Sequence, residues 1–139
     1  MKNNIFLKIF KIILELEEGY KDTENNRIYH GIHQEVFDSY RKIKNRPLVN
    51  VRYADLSELY DIYYDFFWIK SGCDLIQSIK ISYIHFDTSV VFGVDAANKI
   101  LNSIKVKYNN DIDILKEYIK QRADLGINEG RTTRVVSVI

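Results

Sequence analysis

A mainly α-helical, single-domain protein is what this sequence predicts, and three observations carry that prediction. Only one proline, Pro47, and six glycines punctuate 139 residues, so few positions force the chain to turn. Most segments place apolar residues at helical spacing. Hydrophobic residues make up 46% of the chain, enough to fill a packed core rather than leave it disordered.

The elements follow in order. The apolar spacing predicts a first helix over about 4–18, ended by Gly19, where a left-handed residue is comfortable. The polar stretch from Lys21 to Gly31 lacks periodicity and carries turn formers, so a short irregular segment or hairpin is expected after that helix. A second helix covers about 33–43, and Pro47 marks an extended connection. Asp55 with Glu58 three residues later has the form of a capping box opening a helix to about Trp68. Ser71-Gly72-Cys73 interrupts it. Further helices are expected over about 75–92, 95–103 and 111–123. The tail from Gly130 to Ile139 reads equally as a strand or as a short helix that buries Val135, Val136 and Ile139.

Charge and cysteine usage exclude several functions. Twenty Lys and Arg stand against 19 Asp and Glu, and a net charge of +1 offers no field for a phosphate backbone, so nucleic acid is not an expected partner. The lone Cys73 cannot form an internal disulfide and has no basic neighbour in sequence to activate it. His30 and His33 have metal-ligand spacing but no acidic or cysteine partner to complete a set, so no metal or other cofactor is expected. Lys8 and Lys11 interrupt the apolar N-terminus and no small-x-small site follows, which argues against a signal peptide. No stretch reaches the roughly 18 apolar residues of a membrane span. Cytoplasmic synthesis as a monomer is the expectation. The run Arg41-Lys42-Lys44-Arg46 reads as a solvated face with a secondary reading as a contact for anionic polymers.

One carboxylate is out of place. At roughly 100° per residue, Lys8, Lys11, Glu15 and Glu18 share the solvated side of the first helix, and Phe6, Phe10 and Ile13 lie opposite. Glu17 falls within the apolar stripe, facing the body of the protein from the helix end. Burial and the negative end of the helix both favour a protonated carboxyl there, the state a general acid needs. An equally simple reading has Glu17 at the core edge, reaching to water or an arginine. Other candidates divide in the same way. The run Tyr60, Tyr63, Tyr64, Phe66, Phe67 and Trp68 reads as core, and Asp87 as a buried hydrogen-bonding group despite Lys80 in its sector.

Read from Glu17, the string Glu17-Glu18-Gly19-Tyr20 resembles the EGGY signature of the muramidases of glycoside hydrolase family 108, found in phage endolysins and secretion-associated lysozymes. The order continues along the chain. His30-Gly31-Ile32-His33, with Val36, Phe37, Tyr40 and Arg41 behind it, resembles the family's YGIT and following helix. Tyr63 with Phe67-Trp68, Gly72-Cys73-Asp74-Leu75, and Phe86-Asp87 with Val90, Gly93, Ala97 and Leu101 are similar to its later motifs. Residues 127–135 are similar to its FLxGWxxRV stretch.

The resemblance implies a lysozyme-like helical domain. Residues up to about 85 form its catalytic part, and about 86–139 a helical part similar to the family's peptidoglycan-binding region. It implies hydrolysis of the β-1,4 bond between N-acetylmuramic acid and N-acetylglucosamine in peptidoglycan glycan strands, with Glu17 as general acid. It further implies Asp22, or secondarily Glu24, and His33 for placing the attacking water, and Tyr20, Tyr29 and Gly31 as substrate contacts. An endolysin of this kind needs a holin or other route to the wall. Glu18 stands where the family has its second glycine, His33 where it has threonine, and Arg131 where it has tryptophan. The family's Asp-Pro-Gly-Gly loop is absent, and the stretch near Tyr108-Asn109-Asn110 is shorter. These departures support the competing expectation of a catalytically degenerate relative that binds glycan or a protein partner.

Overall fold

The first helix, α1 (Lys2–Leu16), buries Phe6, Ile9, Phe10 and Ile13 along one face, as their spacing predicts. A computed structural model describes the protein over residues 2–125. The tail and the resemblance at residues 127–135 lie outside the described residues. Packing divides the chain into two compact units, one spanning Asn3–Phe66 and the other starting at Phe67.

In the first unit α1 ends two residues earlier than expected. Glu17 sits in the turn beyond it, its N–H bonded to the Ile13 carbonyl at 2.8 Å, and Gly19 takes φ +85°. Two adjacent carboxylates gain nothing from prolonging a helix whose C-terminal end is itself negative. The expected hairpin segment is a three-stranded antiparallel sheet of β1 (Tyr20–Thr23), β2 (Asn26–Tyr29) and β3 (Ile32–His33). His30 (φ +46°) and Gly31 (φ +80°) form the two-residue link between β2 and β3. Positive φ at both central positions is the twist-matched solution for so short a connection.

Helix α2 (Gln34–Ile43) follows directly. The Gln34 amide clamps the returning chain, donating to the Val49 carbonyl and accepting from the Val51 N–H. Helix α3 (Leu56–Ile62) starts with the expected capping box. The Asp55 side chain accepts from the Glu58 N–H at 2.9 Å, and Glu58 accepts from the Asp55 N–H. That contact is the main reason the Asp55 carboxyl is held below its usual range. Glu58 is also buried between Arg41 (2.9 Å) and Arg46 (3.0 Å), so two cations of the basic run are engaged internally.

The capped helix does not continue as an α-helix to Trp68. Past Ile62 it widens into a π-helical stretch, Tyr63–Ile69. Tyr63 and Trp68, five residues apart, are both buried. An i→i+5 repeat brings that spacing to one side, whereas 3.6 residues per turn would splay it.

The second unit centres on α4 (Ile79–Phe92), which begins later than expected because Ser78 caps it and a short 3₁₀ turn, Cys73–Leu75, precedes it. Helices α5 (Val94–Lys107) and α6 (Asp111–Asp124) pack against it. Every residue from Ile81 to Ser89 is buried, so polar groups inside α4 must find partners within the protein. Asp87 pairs with buried Arg122 of α6 at 2.6 Å, the hydrogen-bonding role expected of it. Arg122 also donates to Thr88 Oγ1. Cys73 is buried and its thiol is pushed up to about 12 by that burial, so it is inert at neutral pH.

Two predictions follow from α4. Arg122→Met leaves the Asp87 carboxylate buried without its cation and lowers stability by about 3–5 kcal/mol, measured by urea unfolding. Burial also holds the His85 imidazole below its ordinary pKa, so the unfolded chain takes up a proton that the folded protein resists. The associated stability is complete above about pH 6.5 and falls on acidification, by up to about 1.4 kcal/mol per pH unit. Urea midpoints between pH 7.5 and 5.5 should show this slope in the wild type and a shallower one in His85→Gln.

Candidate active site

The turn between β2 and β3 is where the first unit brings its chemistry together. A Cβ placed on Gly31 would stand 3.0 Å from Glu17 Cγ and 3.1 Å from Glu17 Cβ, so the Glu17 stem rests against the glycine backbone. The same Cβ would stand 2.5 Å from the Tyr63 hydroxyl oxygen, and that hydroxyl donates to the His30 carbonyl. The His30 N–H in turn donates to the Gly19 carbonyl at 3.0 Å. Helix α1, the turn and the start of the π-helical stretch thus meet around one residue without a side chain. Glu17 is half-buried there, rather than in the midst of the core as its place on the apolar stripe suggests.

The sheet register sorts the remaining candidates. Tyr20 faces Tyr29, Asp22 faces Arg27, and Tyr29 also faces Ile32, so these residues lie on one face of the sheet. Lys21, Thr23, Asn26, Ile28 and His33 lie on the other. Asp22 therefore shares a face with both tyrosines, 4.0 Å from Arg27 and mostly exposed. His33 is on the opposite face, exposed, with its Nδ1 at 3.0 Å from Asn26 Oδ1. The register thus puts the two candidates for water placement on opposite faces of the sheet. Glu24 is exposed in the β1–β2 turn.

Tyr20 is half-buried, and its hydroxyl accepts from Asn50 Nδ2 at 3.1 Å. The Arg52 guanidinium lies 6.0 Å from the Tyr20 ring centroid and 4.9 Å from that of Tyr53, whose hydroxyl it also reaches. Tyr53 is 64% exposed. Asn50, Arg52 and Tyr53 extend the surface around Tyr20 with an amide, a guanidinium and an open aromatic face, groups suited to hydroxyl-rich sugar rings. Reading the stretch only as an extended connection misses them. The signal present in sequence is the Asn50-Val51-Arg52-Tyr53 alternation, in which Val51 alone is buried. Tyr29 packs edge-on against His30, ring centroids 4.5 Å apart. Among the described residues, no group of three His, Cys, Asp or Glu side chains is placed to hold a metal ion.

Comparison with known proteins adds a family model and a fold. The family model for Glycosyl hydrolase 108 matches residues 10–93, a span that includes Glu17, the sheet and Tyr63. A solved structure, that of Brucella abortus SagA, shares the fold with a TM-score of 0.76 at 20% identity. The match covers 98% of this chain and 92% of that one. At that identity the likeness concerns the fold alone. No curated protein matches the sequence.

The Gly31 packing yields a direct test. Gly31→Ala forces a side chain into a left-handed backbone and onto the Tyr63 hydroxyl, and should lower stability by about 1–3 kcal/mol from the backbone alone. Tyr63→Phe should cost about 1 kcal/mol through the lost hydrogen bond. Because the closest contact is with that hydroxyl oxygen, the double variant should be more stable than the sum of the two single losses. Strict additivity in urea unfolding would contradict the packing described.

Proposed function

The chain belongs to the Glycosyl hydrolase 108 family, and from that premise we propose that it is a muramidase in which Glu17 is the general acid. The bond cleaved is the β-1,4 linkage between N-acetylmuramic acid and N-acetylglucosamine in peptidoglycan. The observation that carries the reading is the seat of Glu17: a half-buried carboxylate resting on the turn glycine, within the span that the family shares. The Glu17 stem is held by Gly31 while the residue keeps some access to solvent. A proton donor to a glycosidic oxygen needs that combination of fixed position and access.

In this reading Glu17 protonates the leaving oxygen as the sugar develops oxocarbenium character. Asp22, on the face that carries Tyr20 and Tyr29, supports the incoming water or the cation, and the tyrosines with Asn50 and Arg52 hold the sugar rings. His33, on the other face, is assigned the lesser part. A gap of about 6.5–9.5 Å between the two working carboxyl groups corresponds to inversion, and about 5–5.5 Å to retention. The proposal extends to an endolysin role for a monomer made in the cytoplasm, with a holin or other export route giving access to the wall.

The test is release of soluble fragments from purified peptidoglycan, analysed by mass spectrometry. Wild type should yield muropeptides with N-acetylmuramic acid at the new reducing end. Glu17→Gln should lower the rate by about 10²–10⁴-fold with a urea midpoint close to wild type. Asp22→Asn should lose activity and His33→Ala should keep most of it. If neither the wild type nor Glu17→Gln releases fragments while both are folded, the degenerate glycan-binding or partner-binding reading replaces this one. An unfolded Glu17→Gln would make the carboxylate structural.

A further inference from the structure

Of the five arginines among the described residues, four are ion-paired within the fold. Arg27 pairs with Asp22, Arg41 and Arg46 with Glu58, and Arg122 with Asp87. Arg52 pairs with no described carboxylate. It is exposed, and its guanidinium has one described acceptor, the Tyr53 hydroxyl, at 2.9 Å from Nη2.

The surrounding chain fixes where this charge stands. Arg52 lies in a short 3₁₀ turn, Val51–Tyr53, whose first residue is fully buried. Asn50 caps that turn by accepting from the Arg52 N–H at 3.0 Å, and its amide nitrogen donates to the Tyr20 hydroxyl, so one side chain ties the turn to β1. The guanidinium rests near two aromatic rings, 4.9 Å from the Tyr53 centroid and 6.0 Å from that of Tyr20. An arginine held in this way keeps a planar edge of donors that matches a carboxylate through two parallel hydrogen bonds. The Asp22 charge reaches Arg52 only at longer range, its near partner being Arg27.

Tyr20 is a ring on which the muramidase reading seats a sugar, and the substituents of that sugar then come beside Arg52. The two sugars of the glycan repeat differ in one group, the lactyl ether of N-acetylmuramic acid. On a bare strand that group ends in a carboxylate, and where a stem peptide is attached it is a neutral amide. We propose, resting on the muramidase reading, that Arg52 is a specificity-determining residue that takes the free lactyl carboxylate, so that the favoured substrate is a glycan strand stripped of its peptides. The class of reaction that supplies such a strand is hydrolysis of the amide between the lactyl carboxyl and the peptide. Water adds across that bond, leaving the carboxylate on the sugar and the amine on the peptide.

The experiment measures binding to the full-length Glu17→Gln protein by titration calorimetry. The first ligand is an alternating N-acetylglucosamine–N-acetylmuramic acid tetrasaccharide with free lactyl carboxylates. The others are its lactyl methylamide, its form bearing L-Ala-D-isoglutamate on each lactyl group, and N-acetylglucosamine tetramer. The free carboxylate form should bind about fivefold or more tighter than the methylamide, a gap that narrows as salt is raised. The glucosamine tetramer, which carries no carboxylate, should bind no tighter than the methylamide. Arg52→Gln should bring the ratio of carboxylate to methylamide affinity close to one, and Arg52→Lys should keep part of it, a change that a merely structural role would not produce. Both variants alter an exposed side chain, so their urea midpoints should stay near that of Glu17→Gln. No saturable binding of the bare form, a ratio near one with Arg52 in place, a ratio unmoved by Arg52→Gln, or a peptide-bearing form as tight as the bare one overturns the proposal. Failure of the wild type to release glycan fragments while the ratio holds strikes the muramidase reading and leaves carboxylate recognition standing. Fragment release with a ratio near one strikes this inference alone.

Discussion

The arrangement of the first unit depends on Gly31 having no side chain. Two separate segments use the volume a Cβ would fill, the turn beyond α1 through Glu17 and the π-helical stretch through the Tyr63 hydroxyl, and the β2–β3 connection itself needs positive φ at this position. Because His30 bonds through its N–H to Gly19 and through its carbonyl to Tyr63, the turn joins the end of the first helix to the start of the aromatic stretch. The position of Glu17 is thus set by backbone geometry, which tolerates less variation than a contact between two flexible side chains.

The second unit is governed by a different constraint. A central helix buried over nine consecutive residues cannot carry polar side chains at random, yet Ser82, His85, Asp87, Thr88 and Ser89 all lie in that stretch. Serine and threonine return their hydroxyls to α4 carbonyls, Asp87 meets Arg122, and His85 spans from Ser71 to Tyr118. Such a network stabilises little over an apolar core, but it allows few alternative registers of α6 against α4, because a shift of one residue would strand a charge. The same network reaches the surface at Asn98.

What the sequence made legible follows from range. The apolar face of α1 and the Asp55–Glu58 capping box depend on neighbours within a turn or two, and each was readable from spacing, whereas the helix ends at Leu16, short of the stop expected at Gly19. The three strands were readable only as turn formers between helices, since segments of two and four mostly polar residues carry no alternation. The π-helical stretch was not readable, because the aromatic run satisfies a 3.6-residue face well enough to conceal the wider repeat. Glu17 stood out by its angle on the helix, while its partners Gly31 and Tyr63 are joined to it by tertiary packing alone. The split of Asp22 and His33 between opposite faces needed the strand register, and Asn50 and Arg52 needed the fold of the connection.

The surroundings of several carboxylates explain why Glu17 is the one we propose as the acid. Glu58 is buried, but its two oxygens are occupied by the Asp55 N–H and two guanidinium groups, leaving nothing to offer a substrate. Asp87 is buried against Arg122, where no polymer can reach it. Asp55 is spent on the N-terminus of α3, and Asp61 accepts from the Tyr40 hydroxyl. At the other extreme Glu15, Glu18 and Glu24 are exposed, and free rotation dilutes any single productive geometry. Glu17 lies between these limits, its stem fixed by packing against a glycine while the residue stays partly open. A carboxylic acid that must meet a leaving oxygen at one angle and then recover its proton from solvent requires both properties. Burial as deep as that of Glu58 would remove the second, and the freedom of Glu24 would remove the first.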